Sequence, residues 1–421
     1  MSNKPFTVYL VQHAHIDIGY TERQEVIAEY QRSFIGQAVR LALSPRQRQR
    51  REHERFRFTC EGFWAVELYL ARASRDERNQ LLQAIDEGLV EIGASYLHFT
   101  ELLDEGHLRE TLQPALAYAR SLGKKLSWAG AFDVNGFSWG WCDAMADAGI
   151  RHFSTCINTH HGGRPFNKRN VPFHWESPRG QRVLVWEGQT YHRGNLYGLV
   201  PCSDSASGPA FPLGDLAMAE AKLLPKVAEF RAKGIIKDFA PIYIGGLYTD
   251  NSPPTDLVCE HVAAWNDKHG DDVVIRLATM AEFFERLEQH SAEFPVVRGD
   301  WPDWWADGVI STPLETAVFR NAQRVKREVE RLDPQHRVVS RERLDDIRQL
   351  LWLYAEHTWG YSDSVPSPWD FLCQQMVLRK GAYAVRADEL AMTALDDVLQ
   401  ARGQAEFTAD RPLEYRVINT L

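Results

Sequence analysis

Up to residue 300, short runs of apolar residues alternate with longer segments whose apolar positions recur every three or four residues. The short runs predict strands and the longer segments predict amphipathic helices. An alternation of this kind is typical of a parallel sheet with helical crossovers. Seven such units favour a (β/α)7-type barrel over a small doubly wound sheet. The predicted strands are 7–12, 56–59, 90–94, 125–132, 183–186, 240–247 and 273–277. The predicted helices are 24–43, 65–88, 108–122, 139–148, 214–233, 257–268 and one that follows a capping box of Thr279 with Glu282.

Beyond residue 310 the strand pattern stops and three long helical patterns follow, at 316–332, 340–358 and 368–400. The middle one places Leu344, Ile347, Leu350, Leu351 and Tyr354 on one apolar face. This predicts an α/β chain with a barrel over 1–305 and a three-helix bundle domain over 306–405. The remaining residues, 406–421, read as the start of a truncated β region, with a strand in LEYRVINTL.

Composition narrows the functional classes. The chain has 421 residues, of which 44% are hydrophobic and 25% charged, as in ordinary globular proteins. The net charge of -9 argues against nucleic acid as a partner, because phosphate binding needs a basic surface. No apolar run approaches the roughly 18 residues of a membrane span. The start of the chain lacks a signal-peptide pattern and the six cysteines form no CxxC pair, so we expect a cytoplasmic protein with free thiols.

A cluster of histidine and aspartate follows the first predicted strand. In HAHID, alternation along an extended segment places His13, His15 and Asp17 on one side. The carboxyl ends of barrel strands are where active sites collect, and imidazole with carboxylate suits zinc. Surface histidines in a polar loop are the alternative, which the strand-end position makes less favoured.

Two further aspartates lie at strand ends. Asp133 follows the strand of WAGAF, and Asp250 lies in the Gly- and Pro-rich segment GGLYTDNSPP. Each also fits a simple turn or a solvated loop. As a pair across one cleft, they would supply the two carboxylates that glycoside hydrolysis needs.

His357 and a group of tryptophans complete the candidates. His357, in YAEHTWG, ends an apolar helix, where a histidine also interacts favourably with the helix dipole. Trp301, Trp304 and Trp305 lie at the predicted domain boundary. They fit either packing between domains or a platform for the apolar face of a sugar.

Taken in order, these segments resemble glycoside hydrolase family 38, the α-mannosidase family. HAHIDIGYT resembles its first-strand motif, WAGAFDVNGFS its nucleophile strand, GLYTDNSPPTD its acid/base loop, and FHWESPRGQRVLVWEGQTY its Trp-x-x-Pro-x-Gly-x-x-Val-Leu segment. YAEHTWG resembles the point at which the helical domain of the family supplies a further metal ligand.

The resemblance implies a retaining glycosidase with one zinc ion and a carbohydrate substrate. Its zinc ligands would be His15, Asp17, Asp133 and His357. Asp133 would also be the nucleophile and Asp250 the general acid/base. The residues expected to contact substrate are His13, Tyr20, Trp301, Trp305 and Thr358.

Three positions depart from the family pattern, and they leave the sugar specificity open. Tyr20 stands where the family has Trp, Thr358 where it has Asp, and Asn135-Gly136 where it has Phe-Gly.

The family also continues into β-sandwich domains. An unpaired final strand carrying Val417 and Ile418 would favour association, so a homo-oligomer is possible.

Two other classes remain open. A metal-dependent amidohydrolase or deacetylase also places His-x-His after the first strand, and it needs further histidines at later strand ends. A carbohydrate-binding relative without catalysis is the second. The histidines available to the amidohydrolase interpretation are His152, His160, His161, His174 and His192.

Overall fold

The protein is an α/β chain, seen in a computed structural model that describes residues 4–158, 170–200, 214–301, 304–403 and 417–420, without the side chains of Trp304 and Asp307. The described strands are β1 (Phe6–Gln12), β2 (Phe58–Cys60), β3 (Val90–Ile92), β4 (Trp128–Asp133), β5 (His152–Ile157), β6 (Val171–Glu176), β7 (Arg182–Gly188), β8 (Phe239–Ile244), β9 (Val273–Ala278) and β10 (Val296–Arg298).

These strands pair in three sheets. The first has the order β8-β1-β9, the second β10-β6-β7-β5-β4 and the third β2-β3. The pairs are parallel except for β6 with β7, a hairpin closed at Glu176 and Arg182. The N–H of Ala94, just past β3, donates to Trp128 O of β4 at 3.0 Å, which joins the second and third sheets locally. A single closed ring of strands, as the barrel prediction implies, is not formed by these pairings.

Helices follow most of the strands. The fifteen described α-helices are α1 (Gln24–Ala42), α2 (Pro45–Arg48), α3 (Phe63–Arg72), α4 (Arg75–Asp86), α5 (Glu105–Glu110), α6 (Gln113–Ser121), α7 (Trp139–Asp147), α8 (Arg193–Leu196), α9 (Leu216–Lys233), α10 (Leu257–His269), α11 (Met280–Glu288), α12 (Asp307–Ser311), α13 (Pro313–Leu332), α14 (Arg341–Ala355) and α15 (Phe371–Ala401). The capping box predicted for Thr279 and Glu282 is confirmed at the start of α11.

Three central strands, β1, β4 and β8, are covered on both faces. All residues of β4 and β8 are buried, and in β1 only Thr7 is partly exposed. Burial on both faces is typical of parallel strands flanked by helices, and it explains their continuous apolar runs. Three strands were not predicted from the sequence because they lack a continuous apolar run. β5 carries Ser and Thr, β6 contains Pro172, and β10 has only three residues.

The three predicted long helices are present as α13, α14 and α15, which pack against one another. On the predicted apolar face of α14, Leu350 is partly buried and the other four residues are buried. Ser340 caps this helix at its start, and it ends at Ala355, so His357 lies just beyond it. α15 buries Ala384, Ala387 and three further small or apolar residues toward its end, which lets its backbone approach the other helices.

Part of the predicted C-terminal strand lies outside the described residues. Residues 417–420 are described and have no regular secondary structure, whereas 404–416 and 421 are not described. The proposed β region over 406–421 therefore stays a prediction. Within the described part of the chain, no helix has both the length and the apolar character that a membrane crossing requires.

Trp301 belongs to the aromatic core. It is 3% exposed, and its ring centroid lies 5.2 Å from those of Phe137 and Trp175, with Phe153 and Phe173 also adjacent.

We expect Trp301→Ala to lower the free energy of unfolding by about 3–5 kcal/mol, the usual cost of emptying an aromatic core site. Chemical denaturation of the variant measures this loss. Trp369→Ala is the matched control, since Trp369 is 86% exposed and should cost little. Equal stability of the two variants would contradict the packing role.

Candidate functional site

Four side chains from distant parts of the chain meet at one buried point. His15, Asp17, Asp133 and His357 each offer a nitrogen or oxygen atom, and these atoms all lie within 4.8 Å of one another. His357 Nε2 is 3.2 Å from Asp17 Oδ1 and 3.6 Å from Asp133 Oδ2. His15 Nε2 is 3.5 Å from Asp17 Oδ1. We call these four residues the His/Asp cluster.

Strand ends explain how the cluster forms. β1 ends at Gln12, and the chain continues extended through His15, which pairs in an isolated bridge with Asp250 beyond β8. Asp133 is the last residue of β4. Its φ of +73° lies in the left-handed region, which a residue with a Cβ adopts at a cost. Strain of this kind concentrates at functional sites, where the surrounding structure holds it in place.

His357 reaches the cluster from the helical part of the chain. Its backbone N–H donates to the carbonyl oxygen of His98 at 2.9 Å, and its backbone carbonyl accepts from the Trp305 indole N–H at 2.6 Å. The Trp305 ring centroid is 5.8 Å from that of His357. Backbone contacts on both sides of the imidazole therefore fix its position against the strand ends.

Each histidine of the cluster has its second nitrogen beside a carboxylate. His15 Nδ1 is hydrogen-bonded to Glu61 Oε1 at 3.0 Å, whereas His357 Nδ1 lies 2.9 Å from Glu356 Oε1 as an ion pair without hydrogen-bond geometry. Histidines that bind metal ions usually donate the N–H that is not coordinated to such an acceptor, which fixes the tautomer. Both Nε2 atoms therefore face the cluster as potential ligands.

The donor atoms of the cluster fit a divalent cation. His15 Nε2, His357 Nε2 and Asp133 Oδ1 are buried and make no hydrogen bond to any described residue. Buried polar atoms normally have partners, so three such atoms converging on one point need an explanation. A ligand set of two imidazoles and two carboxylates matches the preferences of zinc.

The electrostatic field favours positive charge at this point. Burial opposes the charged form of His15, but Glu61 and Asp17 outweigh it and hold the pKa of His15 well above its usual value. For His357 burial acts in the same way, and Asp133, Asp17 and Glu356 raise its pKa. Carboxylates that stabilise a proton on each imidazole would equally stabilise a bound cation.

Glu61 organises the first-strand side of the site and was missed from the sequence. Its Oε1 accepts from the Ile16 N–H at 2.9 Å and lies 2.7 Å from His98 Nε2. Its Oε2 pairs with His13 Nδ1. Burial favours the protonated acid, but His13 and His98 outweigh it and hold the pKa of Glu61 well below its usual value. A lone glutamate after a short strand carries no sequence signal of this role.

His13, predicted to be near substrate, is held by protein atoms on both nitrogens. Besides Glu61, its Nε2 lies 2.8 Å from Tyr191 O, and only 1% of the residue is exposed. His98 accepts the Phe132 N–H at Nδ1, at 3.3 Å, which places its proton on Nε2 toward Glu61. His98 thereby contacts β4 one residue before Asp133.

Asp250 lies beside the cluster on a compact loop. Gly246 has a φ of +75°, and a Cβ there would meet Pro253 O at 2.5 Å, so the tight turn requires glycine. The Tyr191 hydroxyl donates to Asp250 Oδ1 at 2.7 Å. Burial and the nearby Asp17 carboxylate raise the pKa of Asp250 to about 7. Asn251 ties the loop to the cluster, donating to Asp17 O at 3.0 Å.

The other predicted contact residues differ in their surroundings. Thr358 is buried, with Oγ1 2.6 Å from Glu356 Oε1 and 3.4 Å from Asp17 Oδ1. Tyr20 is partly exposed, has a φ of +61° and pairs in an isolated bridge with Tyr361. Trp305 is buried against His357. Trp301 lies in the aromatic core, where its contacts give no support to a sugar platform, and Trp304 has no described side chain.

The described histidines available to an amidohydrolase interpretation do not join the His/Asp cluster. His152 begins β5 at the strand end opposite to that of Asp133, and stacks on Phe284 at 4.7 Å. His174 lies 2.8 Å from Ser291 O through Nε2. Among the described residues, the groups that could hold a metal ion contain neither of them, nor His192. His160 and His161 lie outside the described residues.

Comparison with known proteins agrees with this architecture. The sequence model for the glycosyl hydrolases family 38 N-terminal domain matches residues 5–307. No curated protein matches the sequence significantly.

Three solved structures share the fold. An α-mannosidase from Enterococcus faecalis V583 superposes with a TM-score of 0.67 at 13% identity, over 97% of this chain and 44% of that one. A second Enterococcus faecalis protein, in glycosyl hydrolase family 38, gives 0.60 at 12% identity, over 96% and 41%. A GH57 branching enzyme from Thermococcus kodakaraensis gives 0.53 at 12% identity, over 95% and 94%. The chain thus spans less than half the length of the two Enterococcus proteins.

Proposed function

The chain belongs to glycosyl hydrolase family 38, and from that membership we propose that it is a metal-dependent retaining glycosidase acting on α-mannoside-like or related glycosides. The observation that carries the proposal is the position of Asp133. Its carboxylate lies with two imidazoles whose Nε2 atoms have no other described partner, and with Asp17. A nucleophile within a metal-binding cluster accounts for both the buried polar atoms and the backbone strain.

The proposed metal is one zinc ion held by His15, Asp17, Asp133 and His357. When bound, the ion would act as a Lewis acid that takes up sugar hydroxyl oxygens and orients the ring. Glu61 and Glu356 would keep the two imidazoles in the tautomer that offers Nε2.

Asp133 is the proposed nucleophile. Its carboxylate oxygen attacks the anomeric carbon as the bond to the leaving oxygen breaks, which gives a covalent glycosyl-enzyme. Water then hydrolyses this intermediate, so the anomeric configuration is retained. Because β4 is buried and His98 contacts its end, the carboxylate is held rigidly before the substrate arrives.

Asp250 is the proposed general acid and base. The Tyr191 hydroxyl occupies Oδ1, so Oδ2 carries the proton that passes to the leaving oxygen. Burial and the carboxylate of Asp17 raise the pKa of Asp250 toward neutrality, as a general acid requires. In the second step the same carboxylate, now ionised, accepts a proton from the attacking water.

The proposed substrate contacts follow from position. Tyr20, three residues after Asp17, is partly exposed and is the proposed contact to the sugar, whereas Thr358 and Trp305 contact the cluster residues themselves. His13 acts through Glu61 in this proposal. For the domain organisation we propose a domain over 1–305 of the (β/α)7 barrel type, although its described strands pair in three sheets, and a three-helix bundle over 306–405. The strand-end position of the site and the packing of α13, α14 and α15 support this proposal.

The proposal is tested with the purified chain, its metal content and an aryl α-mannoside. We expect about one zinc per chain, loss of turnover after dialysis against a chelator, and recovery on adding zinc. Nuclear magnetic resonance of the first product should show the α-anomer, as retention demands.

A set of aryl glycosides and N-acetylated sugars serves as the comparison. Inversion of configuration would contradict the role of Asp133. Release of acetate without cleavage of any glycoside would favour the amidohydrolase or deacetylase class instead. A chain that binds sugar and metal but turns over none of the glycosides would be a carbohydrate-binding relative.

A further inference from the structure

A buried lysine lies behind the His357 side of the cluster. Lys380 is on α15 and is 3% exposed. Its ammonium group donates to Leu353 O at 3.1 Å and to Glu356 O at 2.7 Å, carbonyls at the C-terminal end of α14. It also lies 3.1 Å from Glu356 Oε2 and 4.6 Å from the Trp359 ring centroid. A lysine is rarely buried unless such partners compensate its charge.

The partner carboxylate touches two of the three segments that carry the cluster. Glu356 Oε1 lies 2.9 Å from His357 Nδ1 and 2.6 Å from Thr358 Oγ1. It also accepts from the N–H of Ile18, the residue after Asp17, at 3.4 Å. One carboxylate thus faces the ligand segment after β1 and the ligand segment after α14, while its other oxygen faces Lys380.

We propose that Lys380 is a positioning residue that acts through Glu356 to hold the His357 imidazole with Nε2 aimed at the His/Asp cluster. The inference rests on the proposed function, in which His357 is a metal ligand. Lys380 fixes Glu356 twice, through the backbone carbonyl and through Oε2. A Glu356 side chain without this anchor could turn away from His357, and the imidazole would lose the carboxylate that lies 2.9 Å from its Nδ1.

A purely structural ion pair would have different consequences. Breaking any buried pair destabilises a protein, because the remaining charge is left uncompensated. The chain provides a matched control in Lys326, which is 2% exposed on α13 and lies 2.7 Å from Glu330 Oε1. Lys326 is equally buried and also pairs with a glutamate, one that is partly exposed, but it touches none of the cluster residues in any described contact.

The experiment compares metal binding by the wild type, Lys380→Met and Lys326→Met. Each protein is freed of metal and titrated with Co²⁺, whose visible absorption reports ligand geometry, and then with Zn²⁺ against a competing chelator. For Lys380→Met we expect Zn²⁺ affinity to fall by about 10–100-fold, as for other residues that orient a ligand histidine, with an altered Co²⁺ spectrum. For Lys326→Met we expect the wild-type affinity and spectrum, even if its thermal stability falls.

A double variant separates orientation from unpaired charge. In Lys380→Met/Glu356→Gln no buried charge is left alone, and the amide oxygen can still accept from His357 Nδ1. We expect Zn²⁺ affinity above that of Lys380→Met and below that of the wild type. If Lys380→Met does not fold, the double variant is compared directly with the wild type.

The outcomes distinguish the inference from the proposed function. Equal metal affinity and spectra in Lys380→Met and Lys326→Met would overturn the positioning role and leave the proposed function intact. Wild-type affinity in the double variant would overturn it as well. A wild-type chain that binds neither ion would instead refute the metal site itself, and the role of Lys380 with it.

Discussion

Replacing Asp133 with alanine is expected to abolish turnover and to weaken zinc binding together. One carboxylate serves both tasks, because it lies 3.6 Å from His357 Nε2 and would also attack the anomeric carbon. Loss of a catalytic nucleophile typically lowers kcat on the order of 10⁴-fold or more. Steady-state assays with an aryl α-mannoside and zinc titration of the same sample would measure the two effects.

Two variants separate chemistry from folding. Asp133→Asn keeps an oxygen ligand and tolerates the positive φ of this position better than alanine. It should therefore bind zinc more tightly than Asp133→Ala while remaining inactive. Asp143→Ala removes another buried carboxylate, one that accepts from the Ser177 hydroxyl, and should keep its activity. Wild-type turnover in Asp133→Asn would rule out the nucleophile role and favour attack by a metal-activated water.

Replacing Asp250 with alanine is expected to spare the metal and to divide substrates by their leaving groups. Glycosides with poor leaving groups need a proton on departure, and general acid catalysis is typically worth about 10²–10⁴-fold. For these substrates kcat/KM should fall by that factor, whereas activated aryl glycosides should lose far less at the bond-breaking step. Equal losses on both classes would remove Asp250 from the acid role.

The same assignment fixes a pH dependence. Burial and Asp17 raise the pKa of Asp250 to about 7, and only the protonated carboxyl group can donate. With poor leaving groups, kcat/KM should therefore be highest below this pH and decrease as pH rises through it. Asp250→Asn should lose this alkaline limb. In Tyr191→Phe the carboxylate loses a hydrogen bond that stabilises its ionised form, so the limb should move to higher pH. A limb that persists in Asp250→Asn would belong to another group.

The described structure also shows why the main site candidates were visible in the sequence. His15 and Asp17 follow a strand, Asp133 ends one, and Asp250 lies in the loop after β8. Carboxyl ends of neighbouring parallel strands lie at one edge, so polar residues at these points are brought together by topology. The apolar runs of β1, β4 and β8 were readable because both of their faces are buried almost throughout.

The residues that orient these side chains could not be predicted from the sequence. Glu61, His98, Tyr191, Glu356 and Lys380 are single polar residues in ordinary contexts, with no spacing that marks them. Their roles arise from contacts between segments far apart in the chain, such as Lys380 of α15 with Glu356 at the end of α14. Side-chain geometry of this kind depends on packing, which local patterns do not encode.

Sequence alone determined the alternation of strands and helices, the three long helices and the polar residues at strand ends, because burial imposes periodicity on each element. Tertiary structure alone decided how the strands divide among three sheets, since pairing partners depend on long-range contacts. It also decided that Trp301 fills an aromatic core and that His357, more than three hundred residues from Asp17, lies 3.2 Å from it. Pairing of the segment after α14 with the segment after β3, through Glu356 with Phe99 and His357 with His98, positions His357 there, and no local pattern records it.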